Sequence, residues 1–83
     1  MMALRQKKPA LVISFAATAD AMAVERYCGE TGLPGRLIPI PREITAGCGL
    51  AWKTLPEERE RFARALEETG IRWEEMRVLE LWG

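Results

Sequence analysis

The chain is predicted to fold as an α+β, ferredoxin-like βαββαβ sandwich: a four-stranded antiparallel sheet with two helices on one face. Two observations carry this. Two halves of similar size each read strand, helix, strand, and a turn-rich segment between them reads as a hairpin. Both helical segments also open on cap signals and stop at glycine. Right-handed crossovers then give the strand order 4-1-3-2.

The elements follow in order. Ala10–Phe15 is a β-rich apolar run with Leu11, Ile13 and Phe15 on one face. Thr18 reads as the N-cap of the first helix, with Asp20 at its positive end. Ala21, Val24 and Cys28 form its buried stripe, Met22, Glu25 and Arg26 lie away from it, and Gly29 and Gly32 end it. Gly35–Ile40 is a second strand, confined to an edge by Pro39. Pro41–Gly47 is turn-rich, and Gly49–Lys53 is a third strand in which Leu50 and Trp52 share a face.

Thr54-Leu-Pro-Glu57 has the form of a capping box, with proline in the first turn. The second helix is expected to bury Leu55, Phe62 and Leu66 and to stop at Gly70. A last strand runs from Ile71, most clearly over Arg77–Leu81. Trp52 is expected beneath the first helix, and Trp73 and Trp82 at the edges of the core. Residues 1–9 read as a lead-in and 10–83 as a single domain.

Composition narrows the function. The 83 residues carry 12 basic and 12 acidic side chains, so no overall field draws nucleic acid or an anionic membrane. The two cysteines make no disulfide framework, and histidine is absent, which removes the commonest metal ligand and general base. No metal or other cofactor is expected. Met2–Ala21 has the outline of a secretory signal, but its apolar run is short, Pro9 interrupts its start, and cleavage would delete the best strand. No segment approaches the ~20 apolar residues of a membrane span. A cytoplasmic protein is expected.

Cys48 is the candidate for chemistry. In the predicted topology the Pro41–Cys48 loop turns back at the end where the first helix begins. Helix N-termini present free N–H groups and partial positive charge, which steady a thiolate. Thr18 belongs to that N-terminus, and Arg42 adds a cation from the loop. Gly47 and Gly49 leave the sulfur open on both flanks and permit backbone angles that turn N–H groups toward an anion. The competing reading is that the glycines mark a hairpin and cysteine is a small apolar residue entering a strand. Cys28, on the buried stripe, reads as a packing residue.

The stretch ATADAMAVERYCGETGLPGRLIPIPREITAGCGLAW, Ala17–Trp52, resembles the small bacterial family named "putative selenium/sulfur carrier protein-like", earlier known only as a domain of unknown function. The shared features are the opening strand ending in Phe15, the helix with Asp20, Met22 and Glu25, and the run Ile38–Leu50 with its Pro-Arg-Glu-Ile and Cys-Gly pieces. The resemblance extends from Leu11 to about Leu81. It implies that Cys48 carries sulfur or selenium as a persulfide or selenosulfide, and that Arg42 is the motif arginine. Three tryptophans and the Arg5–Lys8 lead-in depart from the family pattern without touching the motif.

A sulfur or selenium carrier is therefore the leading reading: a relay rather than a turnover enzyme, served by a donor such as a cysteine desulfurase and by an acceptor not specified. The alternative is a non-catalytic ligand-binding or protein-interaction module that dimerises through the open sheet face, where Val12, Ser14, Ala51 and Lys53 are expected. A cysteine-dependent redox enzyme fits less well, because no C-x-x-C pair or adjacent base is present.

Overall fold

The apolar run Ala10–Phe15 runs through the centre of the sheet. The computed structural model describes residues 6–45 and 47–82. Its elements are β1 (Lys7–Ser14), α1 (Thr18–Thr31), β2 (Arg36–Pro39), β3 (Leu50–Thr54), a 3-10 turn (Pro56–Glu58), α2 (Arg59–Thr69) and β4 (Glu75–Trp82). The sheet order is β2-β3-β1-β4, with each neighbouring pair antiparallel. This is the α+β, ferredoxin-like arrangement that the sequence predicts. Strand β1 begins three residues before the expected Ala10, because Lys7, Lys8 and Pro9 pair with Trp82, Leu81 and Glu80 of β4.

Alternation along β1 divides the interior in two. On the helix side, Leu11, Ile13 and Phe15 pack with Ala21, Val24 and Cys28 of α1, Phe62 and Leu66 of α2, Trp52 and Met76. Trp52 lies beneath this layer as expected, 6.4 Å from the Phe62 ring centre, and its Nε1–H donates to Pro34 O at 3.3 Å. Gly35 has to be glycine for the same reason. Its φ is +128°, and a Cβ there would overlap the Trp52 indole and meet Lys53 O at 2.5 Å.

The opposite face differs from expectation. Val12, Ser14 and Ala51 are buried, not open, and Ile44 from the β2–β3 loop folds over Val12 and Ala51. Ile44 is only 5% exposed and packs with Val12, Ala51 and Leu79. Burying such a side chain contributes roughly 1.5–3 kcal/mol. Two contacts hold it there: Ile44 N–H donates to Pro41 O at 3.0 Å, and the Arg77 guanidinium donates to Glu43 O at 3.0 Å. A second, smaller core results, roofed by a loop instead of a helix.

Four local expectations are corrected. The N-cap of α1 is Ala17, in extended conformation, and Thr18 is the first helical residue with no capping bond from its side chain. Thr54 forms no capping box. It ends β3, its buried hydroxyl donates to Pro34 O at 2.9 Å, and Leu55 takes the N-cap position of the 3-10 turn with no side-chain capping bond. Leu55 is 52% exposed, since it precedes the 3-10 turn and stands outside the stripe led by Phe62 and Leu66. Trp73 and Trp82 are exposed rather than sealing the core edges, and Lys7 Nζ stands 5.4 Å above the Trp82 ring.

Candidate functional site

The loop that carries Cys48 is closed at its base by Ile40 N–H donating to Gly49 O at 2.9 Å. It is tied to the end of β1 by Cys48 N–H donating to Phe15 O at 2.9 Å. Gly47 makes this approach possible. At φ +128° its backbone lies so near β1 that a Cβ would come within 3.0 Å of Phe15 O and Ile40 Cδ1. Gly49, at φ +93°, has open space where a side chain would stand, so conformation alone favours glycine there.

Cys48 is half-buried. Its side chain packs against the helix-side core together with Leu50, and Sγ lies 3.7 Å from Leu50 O, a weak S–H donor contact. Thus the loop straddles the end of the sheet, with Ile44 against one core and Cys48 against the other. Ser14 lies beneath, and its buried Oγ has no hydrogen-bond partner among the described residues.

Phe15, the residue that anchors Cys48, stands two places before the α1 N-cap, Ala17. No side chain caps that helix. The early N–H groups of an α-helix have no carbonyl partner within the helix, so this end offers donors to an anion. Asp20, in the first turn, puts a competing negative charge at the same end. Gly47 and Cys48 are thus tied to Phe15 at the end of β1, three residues before Thr18, the first residue of α1.

Arg42 belongs to the turn that carries Ile44, and it is exposed. Among the described residues no hydrogen bond or ion pair joins it to Cys48 or to Glu43. Cys28 is buried in α1, and burial pushes its thiol up from 9.0 to about 11. No group of three or more His, Cys, Asp or Glu side chains able to hold a metal occurs among the described residues. Nor is any helix among them long and apolar enough to cross a membrane.

Sequence reasoning did not bring the segment 70–74 to this end of the molecule. Glu74 N–H donates to Ser14 O at 2.7 Å, so it grips β1 from the side opposite Cys48. Ala16, Ile71, Arg72, Trp73 and Glu74 line a hollow of about 360 Å³ there. The long β1–β4 register places these residues, and no local pattern in 70–74 announces it.

The family described as "Putative Se/S carrier protein-like" matches residues 10–77, most of the chain, and the chain belongs to it. No curated protein and no solved structure matches the chain.

Proposed function

We propose that this member of the selenium/sulfur carrier-like family is a cytoplasmic relay that holds one sulfane sulfur or selenium atom on Cys48. The donor would be a persulfide-bearing protein such as a cysteine desulfurase, and the acceptor a second protein. In loading, the Cys48 thiolate attacks the outer sulfur of the donor persulfide. The donor's S–S bond breaks, the donor leaves as its thiolate, and a new Sγ–S bond forms. In delivery, an acceptor nucleophile attacks that outer atom and Cys48 leaves as thiolate. Neither step needs an external oxidant or reductant.

The observation that carries this reading is the bond from Cys48 N–H to Phe15 O, which holds the loop beside a helix end that no side chain caps. Thr18 supplies one of the early N–H groups that would steady the anion. Gly47 allows the close approach, Gly49 the turn that follows it, and Arg42 a mobile positive charge. The interaction-module reading, in which the chain dimerises through the open sheet face, is left with less open surface, because Ile44 packs with Val12 and Ala51 there.

The test is loading by a cysteine desulfurase with cysteine as sulfur source, read by intact-protein mass. The native chain and Cys28→Ala should gain the mass of one sulfur atom, released by dithiothreitol, and Cys48→Ala should gain none. Equal loading of Cys48→Ala would remove the carrier reading.

A further inference from the structure

At the end of β1 remote from Cys48 lies a hollow of about 250 Å³ on the face away from the helices. Its apolar lining comes from Ala10, Pro34, Leu55 and Leu81, and its only charged lining among the described residues is Lys8 and Lys53. Lys8 is exposed and Lys53 half-buried, so their alkyl stems wall the hollow while their charge belongs to its mouth. Arg36, exposed, stands directly beside Lys53 in the β2–β3 register. None of these three cations has an ion-pair partner among the described residues. That is unusual company in a chain whose acids and bases are equal in number.

Leu55 gives a second, independent indication. It is a large apolar residue 52% exposed at the rim of this hollow, left outside the core where it precedes the 3-10 turn. Its uncovered surface and the unpaired ammonium groups meet at one place. An apolar floor under a cationic mouth suits an amphipathic anion better than a bare phosphate, which has nothing to place on the floor. The volume falls below the ~300–1,000 Å³ of sites for larger ligands.

We propose that this hollow binds a small free carboxylate with a short apolar tail, the tail against Ala10, Leu55 and Leu81 and the carboxylate between Lys8 and Lys53. The site is separate from Cys48 and does not depend on the carrier reading. Hexanoate, hexylammonium and hexanol titrated into the full ¹⁵N-labelled chain test it by amide shifts. Hexanoate should give saturable shifts at Ala10, Gly35, Leu55 and Leu81 with about millimolar affinity. Hexylammonium and hexanol should bind at least about tenfold more weakly, a gap set by the charge. Lys8→Glu combined with Lys53→Glu should reverse the order of hexanoate and hexylammonium, and Lys53→Met alone should weaken hexanoate severalfold. Cys48→Ala should bind hexanoate as the native chain does. Absence of saturable shifts, equal binding of the three probes, or shifts that follow protein concentration instead of probe would each overturn the proposal.

Discussion

Cys28 and Cys48 pack against the same core, yet the backbone delivers them in opposite ways. Cys28 sits in the interior of α1, 4% exposed, where helical hydrogen bonds and the layer below hold it in place. Cys48 sits on a loop between glycines at positive φ, tethered by one backbone bond to Phe15. Burial inside a helix keeps a thiol neutral and inert. Burial on a loop is more readily reversed, because a few residues can lift without unfolding the domain. The lesson is that the segment carrying a cysteine governs its chemistry as much as the residues packed around it.

The sharpest way to break this contrast is alkylation of the native protein with iodoacetamide at pH 8. With its thiol at about 11, Cys28 is ionised in only about one molecule in a thousand there, and it is enclosed as well. Cys48 should react at least about 100-fold faster, and the gap should close in denaturant. Comparable native rates, read by peptide mass mapping, would erase the distinction between the two positions.

A smaller effect concerns stability against pH. The Cys28 thiol keeps its proton in the folded state up to about 11, whereas it titrates from 9.0 when solvated. Between those values the folded protein binds more protons than the unfolded chain, so stability falls as pH rises. The contribution is fully present below pH 9 and is lost by about pH 11, at most about 2–3 kcal/mol. Urea unfolding of the native chain and of Cys28→Ala over that range should give curves that converge as pH rises. Parallel curves would show that Cys28 is not titrating from a buried site.

The smallest expected effect is at Arg42. It is exposed and joined to neither Cys48 nor Glu43, so Arg42→Ala should slow Cys48 alkylation by less than about threefold, as for screened surface charges. High salt should abolish even that difference. A loss of tenfold or more would mean that the guanidinium meets the sulfur directly, and would sharpen the role assigned to this loop.

Much of the fold was legible in the sequence for a physical reason. Leu11, Ile13 and Phe15 announce one face of β1 because strand side chains alternate, and Ala21, Val24 and Cys28 announce the buried stripe of α1 because helices repeat every 3.6 residues. Pro39 correctly marked an edge strand, since it has no N–H to give a ladder. The failures share another cause. Thr18 and Thr54 both carry cap chemistry, yet Ala17 takes the first cap and Thr54 gives its hydroxyl to Pro34, twenty residues away. Where the assembled chain sets a helix start, and which backbone group meets a hydroxyl, is not revealed by local sequence.

The sequence by itself determined the two halves, the strand and helix faces, the buried character of Cys28 and the glycine-flanked turn around Cys48. These depend on residues within a few positions of one another, where backbone sterics and periodicity decide. Tertiary structure alone decided that Ile44 roofs the second face, that Cys48 hangs from Phe15 beside an uncapped helix, and that Lys8 and Lys53 share a hollow with Leu55. Those outcomes join segments distant along the chain, and they exist only once the sheet has brought its strands into register.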